Sequence, residues 1–181
     1  MAVVGASGGL GSAVCAELTA RGATVVACGP HPERIAAAGV VAFGDLVDTD
    51  DAVIEELFLT DVVGPLWLLK RVVPLLSESK GFVAQLRAVV AEQPMAGMAA
   101  YSSAKAALTA ADTALTRELR RKGITVCDVR PPHTETGLAD RPIAGEAPRL
   151  KEGLSPSTVA TAVVDAIAAG ATEVPAVTFT A

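Results

Sequence analysis

Residues 2–28, AVVGASGGLGSAVCAELTARGATVVAC, form the stretch that decides the fold. A short apolar run at Ala2–Val4 precedes the turn GASGGLG, and SAVCAELTARG then has helical periodicity up to a stop at Gly22. Thr24–Cys28 is apolar and β-branched, as expected of a buried strand. This order of strand, glycine turn, helix and strand predicts a βαβ unit, and therefore a sheet with parallel strands.

The glycine turn predicts a phosphate-binding site. Because glycines have no side chain, a backbone with the spacing GxxxGxG can turn tightly and approach a pyrophosphate. The phosphates would then meet free N–H groups at the helix N-terminus, where the helix dipole favours negative charge. The spacing alone also fits a flexible turn, but its place between a strand and a helix favours a nucleotide site. That predicted site consists of Gly5, Ser7, Gly9, Leu10 and Gly11, with the Ser7 hydroxyl as an added donor.

The rest of the chain continues to alternate between helices and strands. Helices are predicted from Thr49, over Thr60–Glu78, over Tyr101–Arg121 and from Pro156 to Gly170, and strands over Phe82–Leu86, Thr125–Val129 and Val174–Thr180. Pro131–Leu154 is rich in proline, glycine and charge and is predicted to be a surface loop. We therefore expect one Rossmann-like α/β domain over residues 1–181, doubly wound, with a mostly parallel sheet and helices on both faces.

Composition and charge argue against several classes of function. The formal net charge is -5 at pH 7, so no basic stripe is expected that would bind nucleic acid. The three cysteines lie far apart in apolar surroundings, and the two histidines are also distant, so neither a disulfide framework nor a metal site is expected. The longest apolar run is broken by Lys70 and Arg71, and no signal peptide is visible. The sequence therefore predicts a soluble, cytoplasmic protein without membrane contact.

A tyrosine and a lysine form the candidate catalytic pair. Tyr101 and Lys105, in YSSAK, lie four residues apart at the head of a helix and therefore share one face. An ammonium beside a phenol favours phenolate, so Lys105 is expected to lower the pKa of Tyr101 from its usual value of about 10. Such a tyrosine can pass its proton to a carbonyl oxygen while hydride arrives at the carbon. For an isolated YxxxK, a half-buried tyrosine beside a solvated lysine is the alternative.

Together with the glycine turn, YSSAKAAL resembles the short-chain dehydrogenase/reductase family, whose Rossmann-type enzymes use NAD or NADP. The resemblance covers nearly the whole chain. LTDVVGPLWLLKRVVPLL is similar to the family's helix with Asn-x-x-Gly, and RPPHTET to its Pro-Gly-x-x-x-Thr segment after the sixth strand. The resemblance implies that Tyr101 is the proton donor and that Lys105 holds the nicotinamide ribose. It also implies that Pro131 and Thr136 bind the cofactor, with Thr136 facing the nicotinamide amide, and that the substrate is a small carbonyl or alcohol.

Two positions depart from the family's pattern. The catalytic serine would stand about thirteen residues before the tyrosine, where this chain has Ala88. A missing donor to the reacting oxygen typically costs a factor of about 10² to 10³ in rate. Arg87, the neighbour of Ala88, is either a cation that substitutes for the missing serine or, as we expect, a surface-facing arginine. Asp61 stands in the place of the family's asparagine, and near Lys105 its charge would partly cancel the effect of the lysine on Tyr101.

Part of the family's fold is also absent, because only 95 residues separate Gly5 from Tyr101. In one register, GVVAFGDLVD at residues 39–48 is the third strand, with Asp45 at the adenine pocket, and the fourth strand is deleted. In the other register, Ala36–Gly39 is the remnant of the family's Asn-Asn-Ala-Gly, and the third strand is deleted.

We prefer the second register, because the spacing of 22 residues from Gly39 to Asp61 matches the family. It makes Gly39 a cofactor-binding residue. It leaves only Gly29–Arg34 as the crossover, and six residues reach about 20 Å. The fourth strand is therefore expected to be short or distorted, with an open adenine side. The cofactor is NADP or NAD, and His31 and Arg34, which would attract a 2′-phosphate, do not decide between them.

These observations leave two hypotheses for the function. One is an NAD(P)-dependent oxidoreductase acting on a carbonyl or alcohol, and the other is a non-catalytic relative that binds a nucleotide or pairs with itself. A homodimer or homotetramer is expected in both cases, because the resemblance implies that helices Leu59–Glu78 and Ser102–Arg121 pair across a two-fold axis. Small residues that would permit such close approach, or would simply be core, are Ala104, Ala107, Ala111 and Ala114.

Overall fold

The structure is a computed structural model that describes residues 1–4, 6, 8–28 and 39–179. The expectations for Gly5 and Ser7 in the glycine turn, and for His31 and Arg34 in the crossover, lie outside the described residues. The same holds for the start of the Ala36–Gly39 remnant, of which Gly39 is described.

Five α-helices and five strands occur in the described part of the chain. The strands are β1 (Ala2–Val4), β2 (Val26–Cys28), β3 (Phe82–Leu86), β4 (Thr125–Val129) and β5 (Glu173–Val174). The helices are α1 (Gly9–Ala20), α2 (Asp51–Phe58), α3 (Gly64–Ser79), α4 (Ala99–Arg120) and α5 (Pro156–Ala169). A π-helical turn at Leu59–Val63 joins α2 to α3, and short 3-10 turns occupy Leu46–Asp48, Val89–Ala91 and Ala176–Phe179.

All the strand pairs are parallel, as the βαβ pattern predicts. β1 pairs with β2, with Ala2 opposite Val26. β3 pairs with β4, and β4 with β5, so that β4 is the middle strand of this group. A parallel pair requires a crossover on one face of the sheet, and helices α1, α4 and α5 lie in the connections.

Helices cover both faces of the β3–β4–β5 group. Alternate residues of a strand point to opposite faces, and β4 shows this directly. Its residues Cys127 and Val129 pack into an apolar cluster with Val14 and Leu18 of α1 and several residues of α5. Val126, on the other face of β4, packs with Leu119 at the end of α4 and with residues of α3 and β3. The chain is therefore a Rossmann-like α/β fold with a partial set of strands, as the sequence predicts.

Local sequence signals explain where the last helix begins and ends. The Ser155 side chain caps α5 by accepting a hydrogen bond of 3.1 Å from the Thr158 N–H. Pro156 occupies the first helical turn, where its missing N–H costs nothing, and Gly170 ends the helix in a left-handed conformation. These bounds confirm the prediction for this helix.

Two strand predictions need correction. β2 begins at Val26 and not at Thr24. The predicted strand Val174–Thr180 is wrong over most of its length, because β5 ends at Val174 and a 3-10 turn follows from Ala176. Pro175 separates the two, and a residue that lacks an N–H cannot continue a strand ladder.

The two helices predicted around Thr49 and Thr60–Glu78 form one nearly continuous rod, since the π-helical turn at Leu59–Val63 connects them. A π-helical turn inserts one extra residue per hydrogen-bonded ring and commonly occurs at functional sites. No helix within the described ranges is both long and apolar enough to span a bilayer.

Segment 40–44 is tied to the loop after β4 rather than to the β1–β2 pair. Ile143 N–H donates to the Val41 carbonyl at 2.8 Å, and Phe43 N–H donates to the Ala144 carbonyl at 3.0 Å. This contradicts the register in which residues 39–48 form the third strand. It also corrects the prediction of a purely surface loop, because Ile143 packs against a buried cluster.

Candidate active site

Helix α4 places Tyr101 and Lys105 on one buried face. The helix begins at Ala99, with Met98 as its N-cap, so both residues lie in its first two turns. Tyr101 is 5% exposed and Lys105 is 6% exposed. The Lys105 Nζ atom lies 5.2 Å from the centroid of the Tyr101 ring. The structure therefore confirms that the two side chains meet, and it excludes a solvated lysine.

Asp61 approaches the lysine from the π-helical turn. Its Oδ2 atom lies 3.1 Å from Lys105 Nζ, and its Oδ1 atom accepts a hydrogen bond of 2.9 Å from the Val40 N–H. The Asp61 side chain is completely shielded from solvent. The conditional expectation that Asp61 lies near Lys105 is therefore met by a direct ion pair.

Gly39 lies against the same ion pair. A Cβ atom at this position would come within 3.1 Å of Asp61 Oδ1 and within 3.2 Å of Lys105 Nζ. Only a residue without a side chain fits this close approach of the backbone without movement of its neighbours. The structure thus brings the predicted cofactor residue Gly39 together with Lys105, although the two are 66 positions apart in the sequence.

The electrostatics of this group differ from the expectation. Burial raises the pKa of Tyr101, and the charge of Asp61 raises it further. The predicted lowering of the Tyr101 pKa by Lys105 is therefore wrong in this structure, because burial, with the charge of Asp61 added, shifts the pKa upward. Burial also raises the pKa of Asp61 and lowers the pKa of Lys105, while their mutual attraction opposes both shifts.

Ala88 lies two residues beyond the end of β3, in the place where the family resemblance puts a serine. The chain here is fixed by two backbone hydrogen bonds, from Arg87 N–H to the Val129 carbonyl at 2.7 Å and from Val89 N–H to the Pro131 carbonyl at 3.0 Å. Ala88 packs against the buried cluster that contains Tyr101. The position thus belongs to the surroundings of the tyrosine, but its methyl group offers no hydrogen bond.

Arg87 is buried, which contradicts the prediction that it faces the surface. It is 8% exposed, and its Nη2 and Nε atoms donate to Asp112 Oδ2 at 2.8 and 3.2 Å. The amide of Gln85 donates to the other oxygen of Asp112. Burial raises the pKa of Asp112 to about 6, against the opposing effect of Arg87.

Sequence reasoning missed Asp112. Its one available signal is the spacing from Lys105, since residues seven apart return to the same face of a helix. Arg87 is therefore engaged in an ion pair with α4 and is not a free cation beside Tyr101.

The glycine turn meets the loop after β4. Gly8 is the N-cap of α1 and Gly9 is its first residue, so Gly9, Leu10 and Gly11 form the first helical turn. A Cβ atom on Gly9 would come within 3.1 Å of the Thr136 backbone. The Leu10 side chain packs against the core, which leaves its backbone as the group available to a ligand.

A cavity of about 360 Å³ opens within the loop after β4. His133, Gly137 and Lys151 contribute to its wall, whereas Tyr101 and Lys105 do not. In the part of the chain that the structure covers, no group of three or more His, Cys, Asp or Glu side chains could hold a metal ion.

Comparison with known proteins defines the class. Residues 34–146 match the family profile of the short chain dehydrogenases. An uncharacterized oxidoreductase of Staphylococcus epidermidis is 26% identical over 208 aligned positions, which cover 91% of this chain and 89% of the relative. The 17-beta-hydroxysteroid dehydrogenase 13 of Rattus norvegicus is 28% identical over 134 positions, covering 72% of this chain and 43% of that protein. The chain belongs to the short-chain dehydrogenase family.

Solved structures agree on the fold. A short-chain dehydrogenase from Sphingobium yanoikuyae in complex with NADPH superposes with a TM-score of 0.81 at 20% identity, covering 96% of this chain and 86% of the other. A short-chain dehydrogenase from Streptomyces avermitilis gives the same TM-score and coverage at 21% identity.

The Staphylococcus alignment also bears on the expected deletion. Its 208 positions outnumber the 181 residues of this chain, so the relative has residues that this chain lacks. This agrees with an internally truncated member of the family.

Proposed function

We propose that the protein is an NAD(P)-dependent oxidoreductase that transfers hydride between a nicotinamide and a small carbonyl or alcohol substrate. The observation that carries the proposal is a buried group of four residues, Tyr101, Lys105, Asp61 and Gly39. In this group the phenol of the tyrosine lies beside the ammonium of the lysine, and the backbone of Gly39 packs closely against the ion pair. A tyrosine and a lysine in this arrangement suit acid–base chemistry on an oxygen atom.

The residues present fit a dinucleotide. The first turn of α1 has no acidic residue, and its cap Gly8 has no side chain, so its N–H groups are suited to phosphate. At Gly9 and at Gly39, a Cβ atom would fill the space against a neighbouring segment. We assign phosphate binding to the Gly5–Gly11 turn, ribose binding to Lys105, and nicotinamide binding to Pro131 and Thr136.

When bound, the nicotinamide supplies or accepts the hydride. The role of the residues of this chain is to move the proton that accompanies the hydride. Burial and the charge of Asp61 favour the protonated phenol of Tyr101, and in a reduction this phenol gives its proton to the carbonyl oxygen. Because the Sphingobium relative was solved in complex with NADPH, NADPH is the first cofactor to test, with NADH as the alternative.

A second candidate is a catalytically impaired relative that acts as a nucleotide-binding or dimerisation module. The specific observation in its favour is Ala88, which lies in the cluster around Tyr101 and offers no hydroxyl to a reacting oxygen. Loss of such a donor costs a factor of about 10² to 10³ in rate.

One experiment separates the two candidates. NADPH and NADH are titrated against the purified protein, and the reduction of a panel of ketones and aldehydes is measured for the wild type and for Tyr101→Phe. The enzyme hypothesis expects turnover that the substitution lowers by about 10²-fold or more. Ser103→Ala, at an exposed position on the same helix, is the control and is expected to keep wild-type turnover. Dinucleotide binding without turnover would favour the module, and turnover unaffected by Tyr101→Phe would exclude the proposed mechanism.

We also propose that the chain forms a homodimer or homotetramer. The support is a set of exposed apolar side chains along α3, which includes Trp67 at 55% and Leu75 at 66% exposure. Among the alanines of α4, Ala104 does not contribute, because it is fully buried within its own chain. Light scattering on Trp67→Lys is expected to give a smaller species than the wild type. For the location we propose the cytoplasm, which fractionation of cells would test.

A further inference from the structure

The ion pair between Asp61 and Lys105 has a consequence for the lysine itself. Lys105 is buried in α4, and an isolated ammonium in such surroundings tends to lose its proton. Asp61 lies 3.1 Å away and is completely shielded from solvent, so its charge acts on the lysine with little screening.

The neighbours of Lys105 make Asp61 its essential counter-ion. From α4 itself the lysine meets the ring of Tyr101, which is uncharged. From the segment that follows β3 it meets the positive charge of Arg87, which lowers the pKa of Lys105. Arg87 is in turn paired with Asp112. Among the charged groups described around the lysine, Asp61 is the one that favours the ammonium.

The position of Asp61 is itself fixed. The π-helical turn carries it, and its Oδ1 atom accepts the Val40 N–H at 2.9 Å while Oδ2 faces the lysine. The carboxylate therefore joins three segments: the backbone beside Gly39, the π-helical turn and α4. An ammonium has three N–H donors, so the pairing with Asp61 leaves donors for a ligand.

We infer that Asp61 is a positioning residue that keeps Lys105 in its ammonium form, and that it thereby makes dinucleotide binding at this site dependent on the charge of the lysine. The inference rests on the proposed function for the identity of the ligand, but not for the ion pair. An uncharged amine would offer weaker hydrogen bonds to a ribose hydroxyl than the ammonium does.

Asp61→Asn tests the inference with little change of shape. The amide oxygen still accepts the Val40 N–H, whereas the negative charge is lost. We expect Asp61→Asn to bind NADPH and NADH about tenfold more weakly than the wild type at pH 9, with the two proteins within about threefold at pH 6, where the lysine regains its proton. Recovery at low pH is the decisive readout, because a merely structural defect would not respond to pH in this way. Asp48→Asn, at an exposed position, is the matched control and is expected to follow the wild type at both pH values.

A ratio between Asp61→Asn and wild type that is the same at pH 6 and pH 9 would overturn the inference. If no dinucleotide binds to either protein, the proposed function fails, and a double-mutant cycle of Asp61→Asn with Lys105→Met then decides. If Asp61 supports the charge of the lysine, we expect this cycle to give a coupling of about tenfold or more in the unfolding equilibrium constant. Additive effects of the two substitutions would mean that Asp61 does not support the charge of the lysine.

Discussion

Helix α4 carries one member of each of two buried ion pairs, Lys105 with Asp61 and Asp112 with Arg87. Both pairs join the helix to a neighbouring segment, but their cations differ. Arg87 binds Asp112 through two nitrogens, whereas Lys105 faces Asp61 with a single ammonium whose charge is opposed by burial. The arginine pair is therefore suited to hold α4 on the segment that follows β3. The lysine pair is suited to keep a charged donor beside Tyr101.

Arg87→Met is expected to have the largest effect on stability. It leaves the carboxyl of Asp112 buried without its counter-charge, which typically costs about 3–5 kcal/mol of the free energy of unfolding. Without Arg87 the pKa of Asp112 rises above its present value of about 6, so the folded state holds more protons than the unfolded state from about pH 4 upward. Stability is then lost as the pH rises through that window, and the cost is smaller in acid. Urea unfolding of both proteins at pH 4.5 and pH 7.5 measures this.

The control is the double variant Arg87→Met with Asp112→Leu, which removes both charges. It is expected to recover most of the loss, since replacing a whole buried pair by apolar residues is often close to neutral. No recovery would mean that Arg87 acts through packing and not through its charge.

Asp61→Asn is expected to cost less, about 1.5–3 kcal/mol at pH 7, because the amide oxygen still accepts from the Val40 N–H while the side chain no longer pairs with the lysine. The stability of Asp61→Asn depends on pH with the opposite sign to that of Arg87→Met. With the pKa of Lys105 lowered further, the folded state holds fewer protons than the unfolded state, so stability rises with pH up to about 10.5. The gain is at most about 1.4 kcal/mol per pH unit. Urea unfolding between pH 7 and pH 9.5 is the measurement, and a cost that stays constant over this range would remove the distinction between the two pairs.

Gly39→Ala probes how tightly the lysine pair is packed. The added Cβ would lie 3.1 Å from Asp61 Oδ1 and 3.2 Å from Lys105 Nζ, and both side chains must shift by a few tenths of an ångström. We expect a loss of about 1 kcal/mol, near the low end of overpacking costs, together with weaker dinucleotide binding. Thermal unfolding measures the loss of stability, and a titration with the dinucleotide measures the weaker binding. Wild-type behaviour in both would show that the pair is loosely held.

The smallest expected effect is on the alkylation of the Cys127 thiol. It is fully buried on β4, on the opposite face from Asp128, and burial raises the pKa of its thiol to about 11. We expect no alkylation of Cys127 in the native wild type at pH 8, because the thiol is both inaccessible and protonated. Arg87→Met should speed the alkylation more than Asp61→Asn does, since it populates the unfolded state more. Mass spectrometry of the Cys127 peptide gives the rates, and equal rates in the two variants would contradict the ranking.

Local signals predicted much of the fold. The bounds of β3 and β4 follow from their apolar runs, and α5 follows from its Ser155 cap and its Gly170 stop. The family resemblance led to Tyr101 and Lys105, whose meeting the structure confirms. These features depend on residues that are near one another in the sequence, and local physics is enough to place them.

Long-range pairing accounts for what the sequence did not reveal. Arg87 and Asp112 are 25 residues apart, and nothing in the local pattern around Arg87 indicates a buried partner. The sign of the Tyr101 pKa shift was wrong for a related reason, because it depends on burial and on Asp61, which lies on another element. The roles assigned to the glycine turn, Gly39, Pro131 and Thr136 remain predictions for the binding experiments above.

The backbone hydrogen bonds that fix the loop after β4 have a practical consequence for redesign of this protein. Hydrogen bonds between residues 143–144 and segment 41–43, and from the Leu154 N–H to the His133 carbonyl, hold both flanks of the exposed tip at residues 146–152. A Cβ atom on Gly145 would overlap the Phe43 carbonyl, so the first flank does not accept a larger residue. Grafted peptides therefore belong in the tip, where added length need not disturb either flank.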